Sequence, residues 1–427
     1  MLTKVEAVNY RSLRSISQRL APFQTLVGPN GSGKSTFLDV IGFLGDVLRV
    51  GPLRAILGDG NGIPQRAADL SHLTWMRAGS RFELAVELQL PATRMPPEHQ
   101  SRFTLARYEV AVESLPDTGE VVLAAETLWL LPKEEPGPSH AQRMLFPETV
   151  SLRESIVRAP KSKAPKGWRK VVSKVADAGN DYFISETTEW NNGFRLGPSK
   201  SALANLPEDE ERFPAATWVK RFLMEGVRRV ALNAEAMRRP SPPGSPRVFL
   251  PDGSNLPWVV HALSEHSPDR FQRWIDHFRT AIPDLRTVST IDRPEDRHRY
   301  LVVEYQNGLK APSWVVSDGT LRLLALTLLA YTDGADGIAL IEEPENGIHP
   351  KAVEAVYQSL STVYDAQVLC ASHSPIVLAL AKPADLLCFA KDASGATDIV
   401  RGDEHPRLRN WTGTLDLGAL FAAGVLG

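Results

Sequence analysis

The chain has 427 residues, 43% of them hydrophobic and 23% charged, with a formal net charge of −2. That length suffices for roughly two to three compact cores of ordinary globular composition. The near-neutral balance excludes a global electrostatic pull toward nucleic acid or a membrane surface, so any such binding has to come from a local patch.

At the start of the chain, Met1-Leu2-Thr3-Lys4-Val5-Glu6 lacks the apolar run of a signal peptide. Residues 5–8 alternate as a strand does, Tyr10-Arg11-Ser12-Leu13 turns, and 23–27 run as a strand straight into a glycine-rich loop. After the loop, residues 35–50 place Phe37, Leu38, Val40, Ile41, Leu44, Val47 and Leu48 at helical spacing. Strand, loop and helix are the context in which Gly28-Pro29-Asn30-Gly31-Ser32-Gly33-Lys34-Ser35, a full G-x-x-x-x-G-K-S match, holds a nucleoside triphosphate. In such a loop Asn30, Gly31, Ser32 and Gly33 present backbone N–H groups to the phosphates, and Lys34 neutralises the β- and γ-phosphates. Ser35 offers its hydroxyl to Mg²⁺, and Ser35 and Thr36 open a helix whose N-terminus favours anions. Stretches 82–90 and 108–131 then alternate like antiparallel strands, predicting a sheet-rich lobe.

From about residue 132 to 245 the composition changes. Pro132-Lys133-Glu134-Glu135-Pro136-Gly137-Pro138 reads as a loop, and Arg239-Pro240-Ser241-Pro242-Pro243-Gly244-Ser245-Pro246 as a stiff connector. The expected division is therefore 1–131, an inserted middle region 132–245, and 246–427. Within the middle region, 218–236 has helical spacing. Residues 153–174 hold Arg153, Arg158, Lys161, Lys163, Lys166, Arg169, Lys170 and Lys174 against Glu154, with Trp168 among them. This run has two readings: a loop that tracks DNA phosphates with the tryptophan as a stacking surface, or a solvated charge run offset by Glu208-Asp209-Glu210-Glu211.

Strand–helix alternation returns after residue 246. Residues 256–278 predict one or two helices ending before Pro283; 321–331, 350–364 and 375–381 predict helices, and 337–341, 367–371 and 384–390 strands. That pattern argues for a parallel α/β sheet. The most apolar helix, 321–331, is about half as long as a membrane span. Cys370 and Cys388 sit in apolar surroundings without metal-ligand spacing. The expectation is a cytoplasmic protein with no membrane segment and no disulfide framework.

Two further stretches carry chemistry. Gly337-Ile338-Ala339-Leu340-Ile341-Glu342-Glu343 is a buried strand ending in two carboxylates, at the end where α/β proteins bind ligands. Successive strand residues point to opposite sides, so the two can take separate roles. Glu342 would hold the Mg²⁺ shell through water, and Glu343 would orient and deprotonate an attacking water. The plainer alternative is a solvated acidic turn, since Glu345 follows. Ser317-Asp318-Gly319-Thr320 precedes a helix, where Ser317 or Thr320 by itself reads as a cap.

The order of these stretches, followed by Cys370-Ala371-Ser372-His373-Ser374-Pro375, resembles the ABC-type ATPases of the RecF, SMC and OLD group. Val8-Asn9-Tyr10-Arg11-Ser12-Leu13, Pro251-Asp252-Gly253-Ser254-Asn255-Leu256 and Glu342-Glu343-Pro344-Glu345-Asn346-Gly347-Ile348-His349-Pro350 are similar to the same group. The resemblance covers about residues 1–130 and 245–427. It implies an α/β ABC-type P-loop ATPase head, with a mixed sheet lobe, a central parallel sheet and an inserted α+β or helical middle region. It implies ATP and Mg²⁺ as ligands and a homodimer, in which Ser317 and Gly319 form the signature that contacts the γ-phosphate held by the other protomer. His373 falls at the γ-phosphate-sensing switch, and Asn346 and Gly347 at the loop that crosses the dimer. For His349, capping and nucleotide contact both stand, and for Arg11 both nucleotide contact and a plain surface role.

Two departures matter. The usual aspartate of the carboxylate strand is Glu342, and the family's glutamine loop has no secure position, Gln65 being the nearest candidate. OLD proteins carry a nuclease after the ATPase, but too little chain follows His373 for one, so the effector is expected to be a separate protein. Free-standing ATPases of this kind resemble subunits of bacterial anti-phage systems of the Septu and methylation-associated types. The leading expectation is thus a dimeric, nucleotide-gated ATPase switch in defence. A RecF-like repair ATPase and a non-hydrolysing ATP-dependent scaffold are the alternatives.

Overall fold

The computed structural model describes residues 1–60, 62–132, 154–158, 164–175, 181–188, 190–332, 337–363 and 366–406. Positions 133–138 of the proline-rich loop, and Arg153, Lys161 and Lys163 of the basic run, lie outside the described residues. The chain divides into two units. One comprises Met1–Leu20, Ser35–Val227 and Ala390–Ile399, the other Ala21–Lys34, Arg228–Phe389 and Val400–Gly427. The boundaries cut between Lys34 and Ser35 and near residue 227, so most of the middle region belongs with the N-terminal lobe.

The first unit is built on an eight-stranded antiparallel sheet. Its order is Leu13–Arg19, Leu2–Tyr10, Arg81–Gln89, Leu105–Ser114, Val121–Leu131, Arg169–Val175, Asp181–Ile184 and Asn191–Phe194. The 17-residue helix Lys34–Val50 buries Phe37, Ile41, Phe43, Leu44 and Val47. Phe43 packs edge-on against Phe82 and tilted against Tyr10. The same helix also buries Asp39 and Asp46, which its apolar spacing conceals. Both are matched by Arg66, whose Nε lies 2.8 Å from Asp39 and Nη2 2.7 Å from Asp46; the Tyr10 hydroxyl donates to Asp39 at 2.7 Å. Arg49 also reaches Asp46 at 2.9 Å and Arg11 lies 3.7 Å from Asp39, but Arg66 is the partner common to both carboxylates, so removing it would be costly.

A second buried network anchors residues 154–158. Arg107 pairs with Glu6, with Glu87 at 3.0 Å and with Glu109 at 3.0 Å, and donates to the Ile156 carbonyl at 3.1 Å. Glu83 accepts the Ile156 and Val157 amides at 2.8 and 3.0 Å, and Glu109 accepts the Arg158 amide at 3.0 Å.

Neither sequence reading of the basic run describes its second half. Residues Arg169–Val175 are a strand inside the sheet. Lys174 is buried 3.3 Å from Asp181, and Arg169 donates to the Thr188 carbonyl at 2.9 Å. Lys170 lies over Trp129 and Arg158 over Trp168, at 4.8 and 4.5 Å from the ring centroids. These cations are used by the lobe itself.

The expected single helix over 218–236 is also broken up. The chain forms Pro214–Arg221, a wide helical turn at Phe222–Gly226, the strand Val227–Val230 and a short helix Ala234–Arg238. Gly226 disfavours helix, and the β-branched valines at 227 and 230 suit a strand.

The second unit contains the parallel sheet. In order across the sheet the six strands are Val227–Val230, Ile338–Glu342, Gln367–Ser372, Phe23–Val27, Leu386–Lys391 and Thr397–Arg401. Ile338–Glu342 pairs in parallel with Gln367–Ser372, which pairs in parallel with Phe23–Val27, which in turn pairs with Leu386–Lys391. Val27, Ile341, Val368, Cys370, Leu386 and Cys388 join Leu256, Trp274, Phe278, Leu324, Val356 and Leu360 in one core. Of the one or two helices expected over 256–278 the structure forms two, Leu256–His266 and Pro268–Ala281, separated at Ser267 because Pro268 starts the second. An antiparallel meander, Leu285–Asp292, Arg299–Tyr305 and Lys310–Pro312, completes the unit and was not anticipated from the sequence. Burial pushes the thiols of Cys370 and Cys388 up to about 12, so both are inert core residues. Among the described residues no helix is long and apolar enough to cross a membrane.

One helix of the first unit is capped from a distance, and the cap titrates. Phe213 offers no acceptor at the start of Pro214–Arg221, and Glu186 supplies one, accepting the Ala215 and Ala216 amides at 3.0 and 2.8 Å. Burial raises its carboxyl from an ordinary 4.5 to about 7. Folding therefore favours the protonated acid, a contribution complete below about 4.5 and lost as pH rises through about 7. Glu186→Gln, neutral throughout, should gain on wild type by roughly 3 kcal/mol between pH 5 and 8, read by urea denaturation. A pH-independent gap would rule this out.

Candidate functional site

The glycine loop leaves the central strand Phe23–Val27 and enters the helix at Lys34. Gly28 has φ +151°, and a Cβ there would stand 2.2 Å from the Phe389 carbonyl oxygen, so only glycine fits. The Ser32 amide donates to the Pro29 carbonyl at 3.2 Å, closing the loop, with Asn30 and Gly31 exposed at its tip. Lys34 folds back over the loop, donating from Nζ to the Gly28 and Pro29 carbonyls at 2.7 and 3.0 Å. Its pKa is lowered, by burial above all, against the opposing charges of Glu343 and Glu342. Ser35, exposed, and Thr36, half-buried, follow directly in the chain.

The carboxylate strand ends beside the loop strand's neighbour, Glu342 pairing with Ala371. Both Glu342 and Glu343 are exposed. Glu343 is one of few non-glycine residues with positive φ, +48°, while its amide still donates to the Ala371 carbonyl at 2.8 Å. A glutamate held in this region is strained, and such strain clusters at functional sites. The turn closes through the Asn346 amide on the Glu343 carbonyl at 2.9 Å and the Ile348 amide on the Glu345 carbonyl at 3.1 Å. Glu343 Oε1 lies 3.4 Å from His373 Nδ1, with both side chains about half exposed (47% and 48%).

Glu345, which the sequence offered only as an ordinary acid of the turn, braces the histidine. Its Oε1 accepts the Ser372 hydroxyl at 2.6 Å, and Ser372 Oγ accepts the Ser374 amide at 3.0 Å. The residues flanking His373 are thereby fixed. No compositional signal marks this role, because it depends on pairing between strands.

Ser317 is the N-cap of the helix Asp318–Leu328; its Oγ accepts the Thr320 amide at 3.2 Å and lies 2.8 Å from the Thr320 hydroxyl. Gly319 serves close approach: a Cβ on it would come within 2.6 Å of the Gly347 carbonyl oxygen. The helix start and the turn after Glu343 thus touch backbone to backbone. His349 caps the helix Pro350–Ser361, its Nδ1 accepting the Lys351 amide at 3.3 Å. Arg11 turns into the first unit, 3.7 Å from Asp39 and donating to the Arg66 carbonyl at 3.0 Å. Gln65 is exposed. The structure therefore brings Lys34, Glu342, Glu343 and His373 together, while Ser317 contacts Thr320 and Gly319 lies against the Gly347 turn.

A parallel sheet whose central strand feeds a G-x-x-x-x-G-K-S loop, with a neighbouring strand ending in carboxylates, defines the α/β P-loop ATPase head. The family described as "AAA domain, putative AbiEii toxin, Type IV TA system" matches residues 24–379, and the chain belongs to it. In fold the chain is similar to an SMC head bound to the C-winged helix domain of ScpA, at 14% identity over 93% of this chain and 96% of that one, with a TM-score of 0.52. An SMC head with an extended coiled coil, bound to the C-terminal domain of ScpA from Pyrococcus furiosus, aligns at 13% identity over 93% and 95%, with a TM-score of 0.47. The SMC head domain from Thermotoga maritima aligns at 11% over 94% and 98%, with a TM-score of 0.41. No curated protein matches the chain.

Gly319→Ala tests the close approach. With a carbonyl oxygen at 2.6 Å, the added methyl must push the Gly347 turn away. The expected cost is about 1–3 kcal/mol in urea denaturation; an unchanged midpoint would mean the turn yields freely.

Proposed function

We propose that the chain binds and hydrolyses ATP as one half of a dimeric, nucleotide-gated switch. What carries this reading is the strained Glu343, beside His373 at 3.4 Å and coupled electrostatically to Lys34. In this reading the amides of Asn30, Gly31, Ser32, Gly33, Ser35 and Thr36 cradle the phosphates. Lys34 leaves the Gly28 and Pro29 carbonyls to meet the β- and γ-phosphates. Glu343 orients the attacking water and takes its proton, and His373 senses the γ-phosphate across that water. Ser317 and Gly319 serve the triphosphate held by a second copy. Closure on ATP and release after hydrolysis then make the switch.

A Mg²⁺ ion would be held by Ser35 and Glu342. These are hard oxygen donors on exposed side chains, and they suit that ion. Bound there, it would supply charge neutralisation on the phosphate oxygens.

The family's description, which names a toxin of a toxin–antitoxin system, supports placing the switch in bacterial defence, where it would control a separate effector. Glu342 in place of the usual aspartate favours one other reading, a scaffold that binds ATP to assemble without turning it over. Steady-state hydrolysis separates them. Glu343→Gln should retain ATP binding and lose about a hundredfold or more in kcat, while Lys34→Ala should lose binding. Turnover by Glu343→Gln equal to wild type sinks the general-base role. Negligible wild-type turnover with ATP-dependent dimerisation selects the scaffold.

A further inference from the structure

Asp318 puts a negative charge next to Ser317, at the place where the proposed composite site would receive another copy's triphosphate. In the first turn of a helix a carboxylate suits the helix dipole. Toward an arriving triphosphate it is a like charge and opposes binding.

Arg238 answers that charge. It closes the short helix Ala234–Arg238, far from Asp318 in sequence. Its Nη2 contacts the Asp318 carboxylate and donates to the Val316 carbonyl at 3.1 Å. Its own carbonyl accepts the hydroxyl of the fully buried Ser313 at 2.9 Å. Side chain and main chain of one arginine thus hold both ends of the segment leading into Ser317. The ion pair itself is open to solvent, with Arg238 32% and Asp318 57% exposed. A pair so exposed contributes little to folding. Its effect grows when another body covers it, because screening by water is then lost.

We propose that Arg238 is a positioning residue of the composite site: it neutralises Asp318 and fixes the Val316 carbonyl, so that the Ser317 turn accepts the triphosphate of a second copy. This rests on the composite-site reading above. One guanidinium nitrogen, Nη2, serves both tasks, meeting a carboxylate and a carbonyl at once.

The test uses the full chain carrying Glu343→Gln, which keeps ATP intact, and measures by sedimentation the ATP concentration giving half-maximal dimerisation. Adding Arg238→Ala should raise that concentration about tenfold or more, while binding of a fluorescent ATP analogue to the protomer stays unchanged. Adding Asp318→Asn to Arg238→Ala should restore dimerisation to within about threefold, because the repulsion is gone. Asp318→Asn without the arginine change should lower the ATP requirement, a readout that stands even if Arg238→Ala folds poorly. Dimerisation indifferent to Arg238→Ala, a double variant that is not rescued, or a raised requirement in Asp318→Asn overturns the role of Arg238 alone. No ATP-dependent dimer with Glu343→Gln overturns the composite site, and the role of Arg238 with it.

Discussion

The parallel register of three strands is the constraint on which the site depends. Glu342 pairs with Ala371, and Ser372 pairs with Val27. The residues that follow each strand are therefore neighbours: Glu343 beyond the first, His373 beyond the second, Gly28 beyond the third. Strands in a sheet lie about 4.8 Å apart, so side chains leaving adjacent ends are within reach of one another. Slipping one strand by a single residue would also reverse which side chains face the core. Val368, Cys370, Ile341 and Val27 share one core, which holds the three strands to one another.

Around this register the chain adds local devices that aim the groups. The left-handed backbone at Glu343 turns the side chain away from the line its strand would give it, while the amide keeps its ladder partner at Ala371. Glu345 ties the turn to Ser372 and so to the segment bearing His373. The same turn ends against Gly319. One short stretch, from Glu343 to Gly347, thus touches the carboxylate strand, the segment bearing His373 and the start of the helix Asp318–Leu328. The contact with Gly319 is backbone to backbone, whereas those with Ser372 and His373 run through the Glu345 and Glu343 side chains.

The first unit uses buried charge for a different purpose. Arg66 joins Asp39 and Asp46 on the helix that follows the glycine loop, and Arg107 joins Glu6, Glu87 and Glu109 beneath residues 154–158. Networks of this kind add little net stability over an apolar core, but losing one partner is costly. They also explain why several charges that look like surface residues in the sequence are enclosed.

Much of the architecture was legible because it is local. The loop strand at 23–27, the helix behind Lys34 and the carboxylate strand follow from residues adjacent in the chain, whose periodicity and glycines act over a few positions. The glycine-loop motif, the order of the parallel strands' segments and the identity of the paired glutamates were therefore legible in the sequence by itself. The sequence left open what depends on distant partners. Whether 227–230 is helix or strand was decided by a sheet edge, and the cations of 169–174 by Asp181, Trp129 and carbonyls of the loops beyond the neighbouring strands. The capping duty of His349, the brace at Glu345 and the arginine behind Asp318 were likewise decided by tertiary structure alone. Each depends on a hydrogen bond or charge whose partner is brought close only by folding, and no spacing rule along the chain encodes that distance.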